Sequence, residues 1–143
     1  MKRYFYDLWF EYDNADKYKS SFHIGYFSSL KKVKENILYL KNQPGFCDYP
    51  IECFQYQKFG VNINEKITNK SGIILYVLSH EYENEQGEDC WVVFGAFGSE
   101  LEAKKEWSKY LKKKIYKEHP NGFILSQWKV DYSIEWKEGF SYY

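Results

Sequence analysis

"YDLWFEYDN" (Tyr6–Asn14) and "YVLSHEYEN" (Tyr76–Asn84) are one stretch written twice. Tyr6, Leu8, Glu11, Tyr12 and Asn14 return 70 residues later as Tyr76, Leu78, Glu81, Tyr82 and Asn84. The same shift carries Gly25 to Gly95, Phe27 to Phe97, Ser29 to Ser99 and Pro50 to Pro120. Past the prolines one residue is lost, so that Phe54 answers to Phe123. A fixed period held without a gap over such a run is the signature of an internal repeat. The expected division is a first repeat at 1–62, a linker at 63–72 and a second repeat with an aromatic C-terminal tail at 73–143. Together they would form one compact two-repeat domain.

Each repeat has the same order of signals. Residues 3–12 and 74–83 are β-branched and aromatic with partial alternation, as strands are. "SSFHIGYF" (20–27) and "CWVVFGAF" (90–97) are second strands, joined to the first by polar hairpin loops. A helix follows each: Ser29 and Ser99 stand at N-cap positions, and Glu102 completes a capping-box pattern with Ser99. Leu30, Val33, Ile37 and Leu40 recur at helical spacing, leaving Lys31, Lys32 and Lys34 on the wet face. Third strands are expected at 52–59 and 123–132. The unit is ββαβ. The fold class is α+β: two tandem ββαβ repeats, mainly antiparallel sheet with helices on one face, related by a pseudo-two-fold. A repeat of this size buries little surface alone, which favours fusing two.

The repeats differ where the helix ends. Pro44 disfavours helical geometry at Gln43, and Gly45 suits the positive φ of a helix exit, so "QPGFCDYP" (Gln43–Pro50) folds Phe46 and Tyr49 back over the helix. The second repeat has Lys114, Ile115 and Tyr116 there, and its helix is expected to run on through Tyr116. Trp107 takes the place of Ile37 and is expected to be buried.

Composition narrows the function classes. Twenty basic and 20 acidic residues balance, so no bulk field draws the chain to nucleic acid or to an acidic membrane. Asp7 and Glu11 interrupt the only early apolar run, and nothing approaches a membrane span. Cys47, Cys53 and Cys90 are odd in number, lack metal-ligand spacing and read as free thiols in a reducing compartment. A cytoplasmic protein is the expectation.

"LKNQPGFCDYP" (Leu40–Pro50), "YVLSHEYE" (Tyr76–Glu83), "NGF" (Asn121–Phe123) and "WKEGF" (Trp136–Phe140) resemble a small bacterial family, a domain of unknown function. Its members carry YVLxHxYE, PGFxDYP, GFxI and WxEGF motifs in single units of about this half-length. The first repeat keeps the PGFxDYP part but has Phe10 where the second has His80; the second keeps the strand and tail motifs without the PGF. The resemblance implies a fold and a bacterial origin, and no catalytic residues come with it.

No constellation of catalytic or metal-binding residues stands out. His23, His80 and His119 make no HExxH or paired arrangement, and no cysteine lies near them in sequence. The expectation is therefore no enzyme, no metal and no cofactor. "GAFGS" (Gly95–Ser99) brackets a helix start, but its counterpart "GYFSS" lacks the second glycine, which favours tight packing over phosphate binding. The helix "KKEWSKYLKKKIYKEH" (Lys104–His119) could offer a nucleic-acid surface with Trp107, Tyr110 and Tyr116 as stacking rings; interspersed glutamates make a solvated face the better reading.

Acidic charge is localised instead. "EYENEQGED" (Glu81–Asp89) holds five carboxylates and no base. The favoured function is a non-enzymatic protein-binding protein, a cytosolic immunity protein that neutralises a cognate, basic bacterial toxin, present as a monomer or a toxin-bound heterodimer. Its expected partner-binding residues are Glu81, Tyr82, Glu83, Glu85, Glu88, Asp89 and Trp91. The alternatives are a nucleic-acid module using the lysine-rich second helix, or a small enzyme using His80 and Glu81.

Overall fold

The computed structural model describes residues 2–13, 19–63 and 72–132. Among the described residues the fold is α+β, with two three-stranded sheets and three α-helices. One sheet holds β1 (Lys2–Asp13), β2 (Lys19–Phe27) and β3 (Phe54–Asn62) in the order β2-β1-β3. The other holds β4 (Ile74–Glu83), β5 (Asp89–Phe97) and β6 (Phe123–Lys129) in the order β5-β4-β6. Helix α1 (Leu30–Leu40) follows β2, and α2 (Glu100–Tyr110) follows β5.

The hairpins share a register. β1 pairs antiparallel with β2 through Tyr6↔Phe27 and Leu8↔Gly25, then slips by one residue to Trp9↔His23. β4 pairs with β5 through Tyr76↔Phe97 and Leu78↔Gly95, then slips to Ser79↔Val93. The extra residue is Ile24 in β2 and Phe94 in β5. A bulge of this kind leaves one residue unpaired and bends its strand.

The chain divides into two compact units. The N-terminal unit is built on Tyr4–Gly60 and takes in Val130; the C-terminal unit is built on Ile73–Lys129 and takes in Val61. Gly60 and Lys129 are equivalent positions once Phe54 is aligned with Phe123, so the chain changes unit at the same point twice. Val61 and Val130 are both buried, at 2% and 1% exposure. The second third strand accordingly ends at Lys129 rather than at 132: Val130 and Asp131 form a turn, with Asp131 at φ 64°.

In the N-terminal unit Leu8, Phe10, Ile24, Phe27, Val33, Ile37, Leu40, Phe46 and Phe54 make a buried core. Ser29 Oγ accepts from Lys32 N at the start of α1. Past its end Gly45 takes φ 88° and turns Phe46 into that core, as the PGF stretch requires.

Helix α2 corrects an expectation. It stops at Tyr110, the same length as α1, and does not run through Tyr116. Lys113 is extended, and a separate short helix, α3 (Lys114–Glu118), follows. A continuous helix would carry Tyr116 about 9 Å further along the axis than Tyr110. The break instead brings the Tyr116 ring onto His80 (4.8 Å between centroids) and Phe123 (5.7 Å). Trp107 is a second correction: it packs on Phe123 at 5.4 Å but is only half-buried, while Ala103 is the fully buried residue of α2.

Candidate functional site

The expected binding residues lie on the β4–β5 hairpin, within the C-terminal unit. Its turn is closed by Asn84, whose side-chain oxygen accepts from Gln86 N (3.0 Å) and Glu88 N (2.9 Å). Asn84 N also donates to Glu88 O, and Gly87 supplies the positive φ of 77°. Asparagine and glycine are the residues such a turn demands, so Glu85 between them and Glu88 just after are held on an ordered loop.

Strand alternation then sorts the set. Glu81 faces Trp91 across the hairpin, Tyr82 faces Cys90, and Glu83 faces Asp89. Alternate residues share a face, so Glu81, Glu83, Asp89 and Trp91 lie on one side of the sheet. All four are exposed, Trp91 to 66%. Val93 and Ile124, 43% exposed each, continue this face in the neighbouring row, where both flank Ser79. Glu85 and Glu88 are exposed in the turn itself. Tyr82 is separated from this group: its ring stacks on His119 at 4.4 Å, on the opposite side of the sheet. A hydrogen bond with Cys90, ahead of burial, raises the Tyr82 pKa above its ordinary value.

Glu83 and Asp89 are like charges at directly opposed positions. Such pairs destabilise a hairpin, the reverse of the opposite-charge pairs that stabilise one. Trp91 beside them leaves most of its surface outside the fold.

The structure does not bring His80 and Glu81 together. His80 is wholly buried, and Glu81 is on the other, exposed face. His80 Nε2 lies 2.8 Å from the carbonyl oxygen of His119, and its ring meets Tyr116 and Phe123 edge-on. Nδ1 is buried without a hydrogen-bond partner. Phe10 makes the same edge contacts with Phe46 and Phe54, both at 4.9 Å, which identifies the His80 site as a packing position. No protein-family model matches this chain, nor does any curated protein or solved structure.

The aromatic residues of the lysine-rich segment turn inward. Tyr110 stacks on Phe94 at 3.9 Å, Tyr116 packs on His80, and Trp107 packs on Phe123. Lys104 and Lys109 pair with Glu100 and Glu106, both at 2.9 Å. The stacking platform that nucleic-acid binding would need is therefore used for packing.

Two features escape a reading of the sequence. His23 Nε2 meets the Asp7 carboxylate at 2.5 Å, with the Tyr26 ring 4.6 Å from the imidazole. Their 16-residue separation hides the pair until the β1–β2 register is known. Burial, then the Asp7 charge, holds the Tyr26 hydroxyl pKa well above the usual tyrosine range. Separately, a shallow cleft of about 340 Å³ is lined by Glu11, Asp13, Glu52 and Cys53. Burial, helped by Glu52 and Asp13, raises the Cys53 thiol pKa. A depressed pKa would mark a nucleophile, so this thiol is not activated.

Among the described residues there is no cluster of histidine, cysteine and carboxylate ligands that could hold a metal. No helix among them is long and apolar enough to cross a membrane.

Proposed function

We propose that this chain is a non-enzymatic binding protein, a cytosolic immunity protein that neutralises a basic protein toxin by direct contact, built from two tandem ββαβ units. The observation that carries the binding reading is the hairpin face. Glu83 and Asp89 oppose one another, Glu81 adjoins them, and Trp91 stands 66% exposed on the same side. A fold selected for stability alone would replace both the like-charge pair and the exposed indole. A basic partner resolves the repulsion, and the indole supplies the large anchoring area typical of interface hot spots. The repeat reading is supported by the common hairpin register and by the equivalent changes of unit after Gly60 and Lys129.

Carboxylates presented in this way act as phosphate surrogates, suited to an active-site cleft that handles nucleic acid or nucleotides. Exposed acids mainly accelerate association; those desolvated against arginine or lysine govern dissociation. The test is to identify the products of the neighbouring genes, titrate the chain calorimetrically with each that carries a secretion signal, and assay that protein's toxicity. Stoichiometric binding that abolishes toxicity is the expected result, and no interaction would refute the reading.

A further inference from the structure

We infer that the open edge of β5 receives an extended, basic segment of the partner as an added strand. This rests on the reading that a protein partner docks on the β4–β5 hairpin, and it specifies how. The sheet order is β5-β4-β6, so among the described residues β5 is paired on one side only. Along that edge Trp91, Val92 and Val93 are all exposed, at 66%, 37% and 43%. Trp91 and Val93 point to the acidic face and Val92 to the other, so three consecutive apolar residues leave both faces of one strand uncovered.

Natural edge strands are blunted by lysine, proline or inward charge, because unpaired N–H and C=O groups recruit other strands. Strand β3 follows that rule through Lys58, exposed beside Gln55, Tyr56 and Gln57. Strand β5 has Asp89 at its start and the bulge at Phe94, but the stretch between them, Cys90–Val93, has no charged residue and no proline. An edge of this kind supplies main-chain hydrogen bonds for affinity and alternate side-chain contacts for specificity.

Charge identifies the occupant. Between Ser71 and Ala103 the chain has no lysine or arginine, while Glu81, Glu83, Glu85, Glu88 and Asp89 crowd the end of the hairpin. A second copy of this chain would bring the same carboxylates with it. A strand carrying lysine or arginine neutralises them, so the occupant is a basic segment of a different protein.

The test uses a synthetic nonapeptide of alternating lysine and valine, and the same peptide N-methylated at every backbone amide. Methylation keeps every charge and side chain but removes the backbone donors on both edges of the peptide. The protein is followed by amide chemical shifts and hydrogen exchange, with and without peptide, at low salt. The inference predicts saturable binding of the unmodified peptide, slowed exchange of alternate amides between Cys90 and Phe94, and binding at least about tenfold weaker after methylation, since several backbone hydrogen bonds are lost.

Val92→Pro and Val93→Pro supply an independent reading, because one of two adjacent edge residues directs its N–H out of the sheet. The variant that keeps the native thermal midpoint should lose the peptide. Equal binding of both peptides, weakened by E83Q/E85Q/E88Q/D89N, would overturn strand addition while leaving the acidic docking site standing. No binding of either peptide would overturn the inference. Protection of β5 amides that grows with protein concentration in the absence of peptide would make the occupant a second copy, and would overturn it too.

Discussion

The carboxylate of Asp131 accepts hydrogen bonds from both the backbone N–H and the hydroxyl of Ser28, at 2.8 and 2.7 Å, across 103 residues of chain. Lys32 Nζ approaches the same carboxylate at 3.1 Å, and Asp131 N donates to Tyr26 O. The side chain is 8% exposed and sits where α1 begins, so its charge also meets the positive end of the helix. Asp131→Ala should lower stability by about 1.5–3 kcal/mol, the usual worth of hydrogen bonds to a charged group. Asp131→Asn, which keeps an acceptor and tolerates the positive φ, should cost less. Denaturant midpoints of the two variants check the order.

His80 fills the place that Phe10 fills in the N-terminal unit, with matching ring contacts. His80→Phe should therefore leave the thermal midpoint within a few degrees of wild type, since removing the unpaired Nδ1 offsets the lost bond to the His119 carbonyl. Gly122 beneath it is the opposite case. A Cβ there would collide with the Glu81 carbonyl oxygen and lie 2.8 Å from His80 Nε2. Backbone cannot move aside as a side chain can, so Gly122→Ala should cost at least about 1–3 kcal/mol. A tolerated Gly122→Ala would show that β4 and the turn before β6 are not packed this closely.

Tyr26 should make stability fall at alkaline pH. Its folded pKa is raised above the ordinary value of 10.0 by burial and by Asp7, so above that pH the unfolded chain releases a proton that the folded chain retains. The contribution is fully present below pH 10 and is lost as pH rises towards the folded value. Tyr26→Phe should flatten the decline between about pH 10 and 11.5 by up to about 1.4 kcal/mol per pH unit. Denaturant titrations across that range measure the difference.

Much of the fold is legible in the sequence because the matching stretches of the two halves can be read against each other. Strand identity, both N-caps and the Gly45 exit follow from local chemistry, and the shift of 70 matches the hairpin pairings residue for residue. The end of α2 is not legible, because nothing in Leu111–Lys114 forbids a helix; the break comes from Tyr116 packing against His80 and Phe123. Asp131 reads as strand for a similar reason, its partners being 103 and 99 residues away. Of the candidate site, the acidic composition is visible in the sequence. The division that sends Tyr82 to the His119 side needs the register.

Trp91 should matter to binding and not to folding. At 66% exposure its truncation leaves no cavity, so Trp91→Ala should shift the thermal midpoint by little while raising the dissociation rate of the partner complex at least about tenfold, as hot-spot aromatics do. Surface plasmon resonance beside a melting curve separates the two effects.

Titrating the neutralised variant E83Q/E85Q/E88Q/D89N and the wild-type chain against the same basic partner, at low and at high salt, tests the central claim most directly. Each exposed carboxylate contributes roughly 0.2–1 kcal/mol against a cation, so the four together should weaken binding by about tenfold or more at low salt. The loss should appear mainly in the association rate, and it should shrink at high ionic strength, where screening already suppresses exposed charges. Equal affinities for the two proteins at every salt concentration would contradict the account.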